Sequence, residues 1–352
     1  MGTPAFIVEK PPARRPVRVR AQGCRLWDSE GTIRIDFDMA GGAVLLGHAH
    51  PRVEAAVAKA EVREDRVAGG LKTLIPCAEA VRFCAEESQA LPAALDGARK
   101  ATGRRRVAVW RADGPFGGVD DLAALVVDPL GADPADLACA RRTADAAGAV
   151  LVFDEGASSF RVDARGAQGL SGVTPDLCVF GAAIANGRPL GAIAGRADLV
   201  RALDADDLPE PQAASLAAAA ATLDILAAHP AAPHLRVLGA ELQAEVAALT
   251  ERAGAGRLFA VAGDPSLPTP LFAAPELEGL WLREMAQRGL VVVGAHALSA
   301  AHDEPEMARL IDAYAALIPA MAAKGLLEAL LRRPVPSFPR EFSAGPRPEG
   351  QA

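Results

Sequence analysis

Lysine is scarce in this 352-residue sequence, since only five of its 37 basic residues are lysine. A Schiff base with a carbonyl cofactor needs a lysine amine, so each lysine position bears on that chemistry. The five are Lys10, Lys59, Lys72, Lys100 and Lys324.

Several other features are also missing. The net charge of −7 gives no basic surface for nucleic acid or an anionic membrane. No apolar run approaches the ~20 residues that span a bilayer, and the first residues lack the apolar segment of a secretory signal. The five cysteines contain no CxxC pair and the histidines no HExxH spacing, which argues against a zinc site. We therefore expect reduced thiols, a cytoplasmic location and no metal.

The pattern along the chain predicts four regions. Residues 1–45 form an arm, irregular to about residue 20, and the first strands of a small domain. Residues 46–235 form a large domain, residues 236–330 a C-terminal small domain, and residues 331–352 a flexible Pro-rich tail. Apolar runs separated by helical segments, such as 124–128, 149–154 and 177–180, are typical of a parallel sheet buried on both faces.

Four groups of motifs occur in a fixed order along the chain. They are Leu26-Trp27-Asp28-Ser29-Glu30-Gly31 with Leu46-Gly47-His48-Ala49-His50-Pro51; Val81-Arg82-Phe83 with Thr102-Gly103-Arg104; Val152-Phe153-Asp154-Glu155 with Phe160-Arg161; and Phe180-Gly181-Ala182-Ala183-Ile184-Ala185-Asn186-Gly187. In this order, over residues 20–325, the sequence resembles the class III (fold type I) pyridoxal-phosphate aminotransferases, which include glutamate-1-semialdehyde aminomutase.

The resemblance implies a fold and an assembly. The fold is α/β: a large domain with a mainly parallel seven-stranded sheet, and a small α+β domain built from both chain ends. Members of the family are dimers that share active sites across the interface. We therefore expect a homodimer, or a heterodimer with an active aminotransferase paralogue.

The lysine that bonds to pyridoxal phosphate in this family corresponds to Ala182, and a methyl group cannot form an imine. The family's phosphate-binding turn corresponds to Glu86-Glu87-Ser88, whose carboxylates would repel a dianion. The residue under the cofactor ring is Gly156, and Leu208 stands where the partner subunit's threonine would reach the phosphate.

Further differences concern the rest of the cofactor site. The segment Arg111-Ala112-Asp113-Gly114-Pro115 lacks the stacking aromatic, and the chain is shortened near residues 63–71 and 113–122. Only Asp154 keeps its implied role as partner of the pyridine nitrogen. These differences predict that no cofactor is bound.

Other polar residues of these motifs allow two interpretations each. Asp154 and Glu155 form an acid pair or a relic held by backbone hydrogen bonds. Glu86 and Glu87 bind a cation with Asp154, or cap the next helix. Arg161 binds a small acidic ligand, or makes a structural ion pair.

Three functional hypotheses follow. The first is a pseudoenzyme without pyridoxal phosphate or transamination, acting as a non-catalytic subunit, scaffold or binding protein. The second is an acid–base enzyme, independent of the cofactor, that reuses the emptied pocket through Glu86, Asp154, Glu155 and Arg161. The third is a residual pyridoxal-phosphate transaminase or aminomutase.

Overall fold

The computed structural model describes residues 18–110, 120–203 and 208–332. The described strands are β1 (Arg18–Gln22), β2 (Arg25–Asp28), β3 (Ile33–Asp36), β4 (Ala80–Cys84), β5 (Arg106–Val109), β6 (Leu122–Val127), β7 (Val150–Asp154), β8 (Leu177–Phe180), β9 (Gly191–Gly195), β10 (Phe259–Ala262), β11 (Thr269–Phe272) and β12 (Leu290–Val291). The described α-helices are α1 (Pro51–Lys59), α2 (Glu64–Leu74), α3 (Glu87–Thr102), α4 (Pro134–Ala147), α5 (Ala167–Ser171), α6 (Ala197–Arg201), α7 (Ala213–Ala228), α8 (Ala232–Arg252), α9 (Pro275–Gln287), α10 (Glu304–Ala323) and α11 (Leu326–Leu331). A 3-10 helix, Ala182–Ala185, follows β8.

The central sheet has the strand order β4-β9-β8-β7-β6-β5. Strands β5, β6, β7 and β8 are parallel to one another, while β9 runs antiparallel to both β8 and β4. All residues of β6, β8 and β9 are buried, which explains their uninterrupted apolar sequences. The described residues form six strands of this sheet rather than the predicted seven, because no further described segment pairs with its edges.

Helices cover both faces of this sheet. Helix α3 packs against β4, β6, β8 and β9 through small residues at helical spacing, Ala90, Ala94 and Ala98, so its backbone approaches the strands closely. Gly97 of α3 also leaves space for the Leu203 side chain. A Cβ at Gly97 would lie 2.6 Å from a Leu203 methyl carbon. Helix α4 packs on β6 and β7, and it begins at Pro134 after an Asp133 cap.

A second sheet combines the two ends of the described chain. Its order is β1-β2-β3-β12, and β12 pairs in parallel with β3, with Leu290 opposite Ile35. Strand β1 pairs with β2 from Arg18 onward, so the prediction of an irregular arm to residue 20 is wrong at its end. The antiparallel pairing supplies backbone partners that the Pro- and Arg-rich composition did not reveal. The rest of the arm and nearly all of the predicted tail lie outside the described residues.

The helices differ from the sequence pattern mainly near residue 60. Residues 51–63 carry apolar residues at helical spacing, but Ala60 adopts a left-handed conformation (φ 47°) and ends α1. Helix α2 then begins at Glu64, with Asp65 favourably placed in its first turn. The domain boundary predicted at residue 235 falls inside α8. No single helix among the described residues combines the length and hydropathy needed to cross a membrane, although the bent pair α7 and α8 meets both criteria together.

Candidate functional site

Four segments meet at one edge of the central sheet, at the carboxyl ends of the parallel strands. Asp128 follows β6, Asp154 ends β7, Ala182 follows β8, and Glu87 begins α3 after β4. Ligands of open α/β folds bind at this edge, because loops and helix N-termini converge there. The topology therefore places Glu87, Asp154 and Ala182 together in a single cleft at this edge.

The Glu87 side chain crosses this cleft and lies over the segment after β8. Its Oε2 accepts a hydrogen bond from the backbone amide of Ala182, with 3.2 Å between the two atoms. A Cβ at Gly181 would lie 2.1 Å from the Glu87 carboxyl carbon, and one at Gly156 would lie 2.7 Å from Oε1. Glu87 can take this position only because both neighbours are glycine.

Two further carboxylates line the same cleft. Asp154 Oδ1 accepts a hydrogen bond from the Gly156 amide at 3.2 Å, and Asp128 accepts one from Leu130 at 2.9 Å. Desolvation raises the pKa of Asp128, and the nearby charge of Asp154 raises it further, although part of the Asp128 side chain still reaches solvent. Sequence reasoning missed Asp128. Its position one residue after a strand that neighbours β7 was a signal that could have identified it.

Glu155 points away from the cleft into the core and is completely buried. Its carboxylate accepts hydrogen bonds from the Ala167 amide and the Ser158 hydroxyl, each at 3.0 Å. Burial raises its pKa to about 7. The structure therefore separates Glu155 from Asp154, although they are adjacent in sequence, because successive side chains at a strand end point to opposite sides.

Arg161 is also buried in the core rather than in the cleft. Its guanidinium donates to the backbone carbonyls of Gly42, Ser266 and Leu298 at 2.7, 3.0 and 2.8 Å. Burial lowers its pKa to about 10. The guanidinium thus connects three distant segments of the chain through their backbones, instead of the acidic partner or acidic ligand expected from the sequence.

The other residues of the predicted turn lie at the start of α3. Glu86 and Gln89 form a capping box, in which the Gln89 side chain accepts from the Glu86 amide at 3.0 Å. Ser88 is exposed and lines a separate cleft of about 330 Å³ together with Lys100 and Leu208. Among the described residues, no group of histidine, cysteine, aspartate and glutamate side chains has the geometry of a metal site.

The lysines of the described residues lie outside the segment that contains Ala182. Lys59, Lys72 and Lys100 lie in the last turns of α1, α2 and α3, and Lys324 follows α10. Lys100 lies thirteen positions along α3 from Glu87, about 20 Å at the helical rise. The residues in this cleft fit pyridoxal phosphate at its ring nitrogen, through Asp154, but they supply no amine for its aldehyde carbon.

Comparison with known proteins supports the predicted resemblance. The chain is 31% identical over 294 residues to a glutamate-1-semialdehyde 2,1-aminomutase of Roseiflexus castenholzii, covering 63% of this chain and 65% of that protein. It is 29% identical to the same enzyme of Rhodopirellula baltica, covering 80% and 77% of the two chains. The match thus spans slightly less than two thirds of the first relative. No family model matches.

Solved structures agree with this result. The structure superposes on a transaminase with pyridoxal phosphate bound with a TM-score of 0.76 and 26% identity, covering 89% of this chain and 93% of that one. The fold is therefore the fold-type-I fold of the pyridoxal-phosphate transaminases, as predicted. The chain is similar to class III aminotransferases and aminomutases.

One prediction from the sequence is wrong. The altered phosphate turn and ring contacts led to the expectation that no cofactor is bound. The relatives are instead aminomutases of this family, and a structural neighbour contains bound pyridoxal phosphate.

Proposed function

We propose that this chain is an aminotransferase-like protein that takes pyridoxal phosphate without a covalent bond and does not itself catalyse transamination. The observation that carries the proposal is Ala182, whose methyl group stands where the family's Schiff-base lysine would be. The same lysine amine moves the proton in the family's reaction, so both functions are lost with it. Lys59, Lys72, Lys100 and Lys324 are exposed residues on or after α1, α2, α3 and α10, and none belongs to the segment after β8.

Asp154 is the residue that would hold the cofactor. Its carboxylate lies at the end of β7 and would accept a hydrogen bond from the protonated ring nitrogen. When bound, pyridoxal phosphate supplies an electron sink. The Glu87 carboxylate would repel the cofactor phosphate electrostatically, since it lies in the same cleft, in the space left by Gly181 and Gly156. This combination favours weak, reversible binding.

The proposed role is that of a non-catalytic subunit. The class III family suggests either a homodimer or a heterodimer with an active aminotransferase whose own lysine is intact. A subunit without a lysine can still complete a shared site or stabilise its partner. An acid–base enzyme that uses Glu86, Asp154, Glu155 and Arg161 together has less support, because Glu155 and Arg161 face the core.

Cofactor titration tests the proposal directly. The full chain is incubated with pyridoxal phosphate, and one sample is dialysed while another is reduced with borohydride and analysed by intact mass. We expect an absorbance change that dialysis reverses, no pyridoxyl adduct, and no transamination of amino acid substrates. An adduct on any native lysine, or amino transfer by the purified chain, would contradict the proposal, and so would the absence of any binding.

Two variants at the same position provide the control. Ala182→Lys restores an amine, and we expect a borohydride-stable adduct on that lysine. Ala182→Met fills a similar volume without an amine and should give no adduct. Purification from the native host then tests the subunit role. Recovery with an active aminotransferase supports a heterodimer, whereas a homodimer alone would exclude that form of the role.

A further inference from the structure

Two buried cysteines lie in contact on one face of the central sheet, and neither belongs to the carboxylate cleft. Cys77 lies in the connection between α2 and β4, and Cys178 lies in β8, with 3.7 Å between their sulfur atoms. The Gln168 amide nitrogen lies 3.5 Å from the Cys77 sulfur and 3.3 Å from the Cys178 sulfur. The two thiols therefore share one polar donor, which an ordinary apolar core position would not provide.

A carboxylate completes this group. Glu155 Oε1 lies 3.9 Å from the Cys178 sulfur, within the distance of a hydrogen bond to sulfur. Burial raises the pKa of Glu155 to about 7 and also raises the pKa of Cys178 well above its usual value. Glu155 is thus a stronger base than an ordinary carboxylate, next to a thiol that needs a base to react as a nucleophile.

We propose that Cys77 and Cys178 are an oxidation site, at which a peroxide converts the two thiols to a reversible disulfide. Peroxide first oxidises the Cys77 thiol to a sulfenic acid and releases one water. The Cys178 sulfur then attacks the Cys77 sulfur, the S–O bond breaks, and the S–S bond forms. Glu155 takes the Cys178 proton and passes it to the leaving hydroxyl, which departs as a second water. In total, two thiols and one peroxide give one disulfide and two waters.

The position of each cysteine suits its part in this sequence. Cys77 is 6% exposed and belongs to a connecting segment, so a small oxidant reaches it before the fully buried Cys178. Cys178 is fully buried in a central strand between β7 and β9 and stays in place. The sulfur atoms must approach from 3.7 Å to the disulfide length of about 2 Å, and the proposal assigns this movement to Cys77, whose amide donates to the Gln168 side chain at 3.0 Å rather than to a neighbouring strand.

The disulfide would join the α2–β4 connection to the strand that leads into Ala182. Gln168 would lose its two thiol partners, and the connection would be fixed to the core. We therefore expect a higher thermal unfolding midpoint for the oxidised protein, reversed by a thiol reductant. This effect is independent of cofactor binding, so its failure and the failure of the proposed function are distinguishable.

Peptide mapping tests the proposal on the full chain. The reduced protein is treated with hydrogen peroxide under native conditions, free thiols are alkylated, and peptides are identified by mass spectrometry. We expect a Cys77–Cys178 cross-link with the mass of the two peptides less two hydrogens. Oxidation to sulfinic acid without a cross-link, no reaction at either sulfur, or pairing with Cys139 would overturn the proposal.

Variants separate the roles within the group. Cys77→Ser and Cys178→Ser should each abolish the cross-link, whereas Cys139→Ser, at the partly exposed cysteine of α4, should leave it unchanged. Glu155→Gln keeps the size of the side chain but removes the base, so cross-linking should slow by about tenfold. An unchanged rate in this variant would rule out Glu155 as the base. The same reaction in urea should lose its preference for this pair.

Discussion

The Glu87 carboxylate accepts a hydrogen bond from the Ala182 amide at 3.2 Å, so the first residue of α3 is connected to the first residue of the 3-10 helix after β8. This contact depends on Gly181 and Gly156, since a Cβ at either position would collide with the carboxylate. With Asp128 and Asp154 nearby, Glu87 makes this cleft acidic. If our proposal for Ala182 holds, the missing amine and the added carboxylate lie at the same point of the structure.

Replacing Glu87 by glutamine should strengthen pyridoxal-phosphate binding. The variant removes one negative charge facing the cofactor phosphate and keeps an oxygen acceptor for the Ala182 amide. Because Glu87 is exposed and its charge is screened, we expect a modest effect, roughly a fivefold lower Kd. Fluorescence or absorbance titration measures it. Glu64→Gln, at the start of α2, is the matched control and should bind pyridoxal phosphate like the native chain. Equal Kd values for the native chain and both variants would show that Glu87 does not repel the cofactor phosphate.

Replacing Arg161 by methionine should destabilise the fold strongly. Methionine fills much of the space, but it leaves the carbonyls of Gly42, Ser266 and Leu298 without their donor. Buried carbonyls without partners cost free energy, and for three we expect the free energy of unfolding to fall by about 3 to 5 kcal/mol. Urea denaturation gives the value. Arg63→Met, at an exposed ion pair, should change the free energy of unfolding by less than about 1 kcal/mol. A similarly small loss for Arg161→Met would contradict a stabilising role of the three hydrogen bonds.

The central parallel strands could be predicted from the sequence, because apolar runs such as Leu122–Val127 are buried on both faces. The motifs also contain Glu87, Asp154 and Ala182, which the structure brings together at one sheet edge, while their role in a site stays a prediction. Helix α2 was missed, since the left-handed Ala60 that ends α1 has no sequence signal; glycine is the usual residue at such a position. Strand β1 was missed in part because its pairing partner, rather than its own composition, stabilises it.

The roles of individual polar side chains could not be predicted in the same way. Glu155 and Arg161 belong to motifs beside the cleft, yet both side chains point into the core and bind backbone or neighbouring groups there. The orientation of each side chain depends on where the strand ends and on the conformation of the following turn, and the spacing of motifs in the sequence does not specify either. Cys77 and Cys178 are about one hundred positions apart, and only the folded chain brings their sulfur atoms into contact.

Glu155 should make stability depend on pH near neutrality. Its pKa rises from 4.5 to about 7 on folding, so the folded state holds the proton more tightly. The contribution of Glu155 to the free energy of unfolding is fully present below about pH 4.5 and is lost as the pH rises through about 7. We expect the stability of the native chain relative to Glu155→Gln to fall by roughly 3 kcal/mol over this window. Urea denaturation at a series of pH values measures this difference, and a constant difference would show that Glu155 does not titrate there. Glu251→Gln, at an exposed position of α8, should give no such trend.

His302 should have the opposite effect in acid. It is buried, its Nδ1 accepts from the Ser299 amide at 3.0 Å, and its Nε2 donates to the Asp36 carbonyl at 2.9 Å. Burial lowers its pKa from 6.5 to about 4, so its stabilisation is fully present above about pH 6.5 and is lost as the pH falls through about 4.

The variant His302→Gln offers a similar donor and acceptor without a titrating group. We expect its free energy of unfolding to fall less steeply between pH 6.5 and 4 than that of the native chain, by close to one bound proton or roughly 1.4 kcal/mol per pH unit. His296 should still contribute in the variant, since burial lowers its pKa to about 3. The exposed His229→Gln is the control and should keep the native slope. If His302→Gln and the native chain lose stability in parallel, the buried imidazole is not the source of the acid sensitivity.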